Sequence, residues 1–264
     1  MLHTETRGEG PELVLLHGWG MHSGVWGAWQ DLLCERFRVT AVDLPGHGLS
    51  AYSGERGLGD WADQVLAVAP RRARWVGWSL GGLVAMAAAQ QDAPRLRGVV
   101  LLASTPRFVV AHDWPMAMAA SLLVDVAQQL ATQPERTLKR FVALQLQGSD
   151  GAGEALRELR ARLRSRPDAD AAALQAGLVL LREADLRPVL RTSSVPLHWL
   201  LGAHDRLIPA GVRHAFPALQ AQVIDTAGHA PFLSHPRACA RQVQRWFLDD
   251  CERTPDAAER LATR

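Results

Sequence analysis

Gly77-Trp78-Ser79-Leu80-Gly81-Gly82 (GWSLGG) follows the apolar run Trp75-Val76 and precedes the helix-like run Leu83 to Ala89. A buried strand that turns abruptly into a helix needs small residues at the bend. Gly77 and Gly81 flank Ser79 at the spacing of Gly-x-Ser-x-Gly, in which the serine sits on a strained strand-to-helix turn. A plain turn with Ser79 as helix N-cap would use the same letters. The rest of the chain weighs between the two.

Short apolar runs recur at Leu13–Leu16, Val39–Leu44, Arg74–Trp78, Val99–Ala103, Pro196–Leu201 and Gln222–Asp225. Each ends in a polar or Gly-rich turn, and several are separated by helix-like segments such as Val25–Phe37, Trp61–Val68 and Leu80–Gln91. This alternation predicts an α/β fold, with a mainly parallel sheet and helices on both faces. Ligands in such sheets bind at the carboxyl ends of strands. From about 107 to 190 the rhythm changes to helices alone, at Pro115–Ala131, Pro134–Leu146, Gly153–Arg164 and Asp168–Arg182, with QGSDGAG and SRPDAD as breaks. The expectation is a core of residues 1–106 and 191–264 carrying an inserted helical cap, 107–190. The charged tail from Asp249 to Arg264 is expected to fray.

A serine hydroxyl needs a base, and the base an orienting carboxylate. In α/β-hydrolases they follow in the order Ser, Asp or Glu, His. Asp205 lies just past one apolar strand in LLGAHDRLIP, and His229 just past the next in IDTAGHAPFLSHP. Ser79, Asp205 and His229 are therefore the candidate catalytic set. Asp113 and Asp225 are competing acids, while His204 reads as a loop residue and His235 as a surface or capping one. The oxyanion calls for preorganised N–H donors. The amide of Leu80 is one candidate, and that of Trp19, in HGWG after the earliest core strand, is the other. His17 reads as an internal brace of that loop.

The chain has 264 residues, 48% hydrophobic and 21% charged, with a net charge of +2. Those values suit one globular unit and argue against a general nucleic-acid binder. The opening MLHTETRGEGPEL has no basic-then-apolar pattern, and no run approaches transmembrane length. Cys34, Cys239 and Cys251 form no paired framework. A cytoplasmic monomer with reduced thiols and no membrane contact is expected. Neither a zinc-ligand pattern nor a phosphate-binding Gly-rich motif is present, so no metal and no cofactor is implied. Between Glu135 and Arg166 stand eight basic and four acidic residues. Arg136, Lys139 and Arg140 share one helix face, as do Arg157, Arg160 and Arg164. A solvated face and a dock for an acidic partner both fit this pattern. Leu138, Phe141, Val142 and Leu146 supply an apolar face, suited to lining a pocket or to simple packing.

LVLLHGWG, VDLPGHGLS, GWSLGGLVA, DWP, RFVALQ and GHAPFLSHP together resemble the pimeloyl-[acyl-carrier protein] methyl ester esterases of biotin synthesis, from about residue 10 to about 247. The resemblance implies a serine carboxylesterase acting on a methyl-capped pimeloyl chain held on the phosphopantetheine of an acidic acyl carrier protein. It places the catalytic residues on Ser79, Asp205 and His229. Substrate contacts fall on Trp19, Leu80, Phe141, Val142, Ala143, Leu144 and Gln145, and carrier contacts on Arg136, Arg140 and Arg157. Gly153 stands where the family has a further cap arginine, with Arg160 as the available substitute. A general carboxylesterase acting on free short-chain esters, with solvated cap arginines, is the alternative. A binding module on a hydrolase scaffold is a second one.

Overall fold

A computed structural model describes residues 1–55 and 57–249. Cys251 and the charged tail from 250 onward lie outside the described residues. Seven strands form one sheet in the order β1-β3-β2-β4-β5-β6-β7. They are β1 (Thr4–Arg7), β2 (Glu12–Leu16), β3 (Arg38–Val42), β4 (Ala73–Trp78), β5 (Leu96–Leu102), β6 (Leu197–Gly202) and β7 (Gln220–Ile224). All neighbours run parallel except β1, which pairs antiparallel with β3. β1 was absent from the sequence expectation for a physical reason. Its TETR is polar and mostly exposed, so an edge strand of this kind carries no apolar alternation.

The central strands are buried on both faces, which is why they read as continuous apolar runs. Val14, Leu16, Val99 and Leu101 point to one side, where they meet α2 (Leu58–Val68) and α3 (Leu80–Gln91). Leu13, Leu15, Val100 and Leu102 point to the other, where they meet α1 (Gly27–Cys34) and the helix Pro236–Gln244. Cys239 is buried in this second layer and burial pushes its thiol pKa up. The expected helix over 25–37 is shorter: Ser23–Trp26 is a 3₁₀ turn, and α1 begins at Gly27, whose φ is +41°.

Between β5 and β6 the chain forms α4 (Ala120–Thr132), α5 (Pro134–Leu144), α6 (Ala152–Leu163), α7 (Ala171–Glu183) and α8 (Arg187–Thr192). The first starts later than expected because 109–118 folds back on itself, with bridges Val109 to Met118 and Ala111 to Trp114. Asp113, one of the competing acids, is in that fold-back; it is exposed and pairs with Arg187 at 2.8 Å. After α6 the chain is fastened to the core. Arg166 reaches Asp43 Oδ2 at 2.6 Å and Ser23 Oγ at 2.7 Å, and also pairs with Glu5 of β1. Asp43 is fully buried, so this ion pair forms where solvent screening is weak.

Candidate active site

Ser79 sits between β4 and α3 with φ +53°, a conformation that L residues rarely adopt. Its side chain makes no capping hydrogen bond, so the plain N-cap reading falls. The bend is possible because a Cβ on Gly77 would lie 2.3 Å from the Gly81 carbonyl oxygen, and one on Gly81 2.3 Å from that of Leu16. The turn is held by Ser79 N–H donating to the Leu102 carbonyl (3.0 Å) and by Ser104 Oγ donating to the Ser79 carbonyl (2.7 Å).

His229, in the loop after β7, is 1% exposed, and its Nδ1 lies 2.7 Å from Asp205 Oδ2. Asp205 is fixed in turn, because its Oδ1 accepts the amides of Leu207 (2.7 Å) and Ile208 (2.9 Å). With Nδ1 on the carboxylate, Nε2 is the nitrogen left to accept a proton; it is buried and has no hydrogen-bond partner among the described residues. Trp78 Nε1 donates to the His229 carbonyl at 2.8 Å, and Trp78 packs on Phe232 with centroids 5.0 Å apart. The other candidates go elsewhere. Asp225 is exposed, His204 Nδ1 meets the Gly148 carbonyl at 2.8 Å, and His235 Nε2 meets Thr226 Oγ1 at 2.9 Å.

Leu80 is the first residue of α3, where an amide has no intrahelical acceptor. Trp19 follows Gly18 in the loop after β2, and its backbone N–H meets no acceptor among the described residues. Its indole donates to the Leu174 carbonyl of α7 at 2.8 Å and stacks edge-on against Phe141 of α5, centroids 4.8 Å apart. A Cβ on Gly177 would come within 2.7 Å of the Trp19 ring, so α7 packs this close only with glycine there.

The loop is braced by two buried histidines. His17 Nε2 accepts the Leu44 amide (2.9 Å) and its Nδ1 meets the Gly18 carbonyl (2.8 Å). His47 Nε2 accepts the Gly20 amide (3.2 Å) and its Nδ1 meets the Pro45 carbonyl (2.9 Å). The sequence singled out His17 for this role; His47, in DLPGHG, was not weighed. Burial lowers the pKa of His17 to about 3, with the neighbouring His47 acting in the same direction, and burial lowers that of His47 to about 4. Both stay neutral in the fold and take up protons on unfolding. Stability is therefore full above about pH 6.5 and falls as pH drops toward the folded values. Each contributes about 2 kcal/mol of loss at pH 5. The melting temperature is expected to be ~10 °C lower at pH 5 than at pH 7. His47→Gln should flatten that slope. Equal melting temperatures at the two pH values would contradict this account.

A cavity of about 900 Å³ lies between the helical segment and the core. Gly20 and Met21, next along the chain from Trp19, line it together with Leu138, Val142, Leu163 and Leu174. Ser79 and His229 do not line it. A groove of about 690 Å³ on the surface is lined by Arg136, Lys139, Arg140, Ala143 and Arg160, among others. Groove and cavity share Pro134, Glu135, Lys139 and Arg160. Arg136 and Arg140 bond to the amide oxygens of Gln133 (3.1 Å) and Gln129 (3.3 Å), not to carboxylates. Arg157 is exposed on α6 but does not line the groove. Phe141, Ala143 and Leu144 line a further hollow of about 700 Å³ that shares Arg140 and Ala143 with the groove, whereas Gln145 is buried, its Nε2 donating to the Phe141 carbonyl at 3.0 Å. The run 141–145 is thus split between two sides of one helix. Lys139 and Arg164 line the cavity as well; the sequence placed them only on a basic face. Among the described residues no group of side chains could hold a metal ion, and no helix is long and apolar enough to cross a membrane.

The chain belongs to the alpha/beta hydrolase family, whose model matches residues 13–242. The fold agrees: an esterase from Exiguobacterium antarcticum superposes with a TM-score of 0.83 at 18% identity, covering 93% of this chain and 94% of that one. Two curated relatives are much nearer in sequence. The pimeloyl-[acyl-carrier protein] methyl ester esterase of Methylococcus capsulatus is 44% identical over 250 residues, 93% of this chain and 98% of the relative. That of Xanthomonas campestris pv. campestris is 43% identical over 249 residues, with the same coverage. At this identity and coverage the chain is a carboxylic ester hydrolase of their family.

Proposed function

We propose that this chain hydrolyses the methyl ester of pimeloyl-[acyl-carrier protein] methyl ester, giving methanol and the free carboxylate still attached to its carrier, a step of biotin synthesis. The observation that supports it best is that the basic groove and the cavity lie side by side and share lining residues, Lys139 and Arg160 among them. A negatively charged carrier surface fits the groove, and an acyl chain on a long flexible arm fits the cavity.

Ser79 Oγ attacks the ester carbonyl as His229 Nε2 takes its proton. Asp205 holds the imidazole in the tautomer with its proton on Nδ1 and stabilises the imidazolium. The amides of Trp19 and Leu80 stabilise the oxyanion. His229 returns the proton to the departing methoxide. Water, with its proton taken by His229, then attacks the acyl-enzyme, and His229 returns that proton to Ser79 Oγ as the carboxylate leaves. The chain carries two acyl bonds, an ester and a thioester. A dock that fixes the carrier sets how far the arm reaches, so that the distal ester arrives at Ser79 while the thioester stays outside. Under this reading the helices of 107–190 act as a cap that measures this distance.

The test compares turnover of the methyl pimeloyl-carrier substrate with that of a short nitrophenyl ester over a salt series. The carrier substrate should lose kcat/KM steeply with salt and the small ester should barely change. An equal response of both would point to a general short-chain esterase.

A further inference from the structure

The backbone on both sides of His229 is held by the turn that follows α5, the QGSD stretch that reads in the sequence only as a break between helices. Ala230 N–H donates to the Gln145 carbonyl (3.0 Å), and Gly228 N–H donates to Ser149 Oγ (2.7 Å). One residue further on, Asp150 N–H donates to the Thr226 carbonyl at 3.0 Å. The same turn touches the loop of Asp205, since the Gly148 carbonyl meets His204 Nδ1 at 2.8 Å. His204 N–H in turn donates to the Ala227 carbonyl at 2.9 Å. The loop that carries the base is thus bonded to the helical segment at three points.

We propose that Ser149 is a positioning residue: its hydroxyl, acting through the Gly228 amide, fixes the backbone that orients the His229 imidazole. This rests on His229 being the general base. Of the three bonds, it is the one that depends on a side chain, so it is the one that a substitution can remove directly. Gly228 is buried, and loss of the acceptor leaves its N–H without a partner. The loop then relaxes, and a small displacement of the base is enough to slow proton transfer.

The experiment compares Ser149→Thr with Ser149→Val, which have the same shape and differ by the hydroxyl, with Ser149→Ala alongside. The substrate is a short nitrophenyl ester, so that carrier docking plays no part. Thr should keep at least half of kcat, while Val and Ala should lose about tenfold. KM should change by less than twofold, and Val should melt only a few degrees below Thr, as expected for one unpaired amide. Equal kcat in Thr and Val, or a loss confined to KM, would overturn the proposal. A variant that fails to fold leaves the Thr and Val pair to decide, and a Val that alone fails to fold shows a structural role and overturns it. His229→Ala separates the two layers: if it stays active, the general-base reading fails; if it is inactive while Val matches Thr, only the positioning role fails.

Discussion

Ser79→Ala and His229→Ala should each lower kcat for ester hydrolysis by about 10⁶-fold, and Asp205→Asn by about 10⁴-fold. Under the proposed mechanism the three act as one unit, so the Ser79 and His229 double variant should be no worse than either single one. Asp205→Asn is the informative member. An asparagine keeps an oxygen to accept the amides of Leu207 and Ile208, so the loop retains its shape. Its amide nitrogen, however, would face His229 Nδ1 with a donor. The imidazole would then accept at Nδ1 and carry its proton on Nε2, the nitrogen that has to receive one from Ser79. Melting temperatures of all three variants should stay within a few degrees of the parent. A fluorophosphonate should label the parent on Ser79 and leave His229→Ala unlabelled. Ser79→Ala retaining a tenth of parental turnover would end the serine-esterase mechanism.

Reversing the charge of the groove should separate the two substrates. Arg136→Glu, Arg140→Glu and Arg160→Glu together should reduce kcat/KM for the carrier-borne ester by roughly 100-fold at low salt, about 1 kcal/mol for each exposed charge. The nitrophenyl ester should lose no more than about twofold, because the three side chains are exposed and of them only Arg160 also lines the cavity. Arg157→Glu offers an internal comparison. Arg157 was placed among the carrier contacts by family resemblance, yet it does not line the groove, so its reversal should cost less than that of Arg160. Equal losses for the two substrates in the triple variant would show that the groove serves folding or the acyl pocket, not a carrier.

Much of this architecture was legible because the strands are buried on both faces and end in polar turns. Six of the seven strands announced themselves as apolar runs, and chain order alone put Asp205 and His229 after successive ones. The structure brings those two side chains to 2.7 Å. What local sequence could not carry was of two kinds. β1 has no apolar face, and α8 is six residues long. The other kind is contact across distance. Gly228 and Ser149 are 79 residues apart, and Arg166 and Asp43 are 123 apart. Periodicity says nothing about such pairs, so Ser149 read as a helix break and Arg166 as one more basic residue. The division of 141–145 between two sides of α5 was hidden similarly, because it depends on which helices flank α5.

Arg166 and the 145–150 turn have a joint consequence for how a long acyl chain gets in. One ties the exit of α6 to Asp43 and Glu5, and the other ties the exit of α5 to the His229 loop. A roof riveted at two separate corners does not lift like a trapdoor. Under the proposed function, admission would fall to the α4–α5 elbow, where Arg136, Lys139 and Arg140 stand.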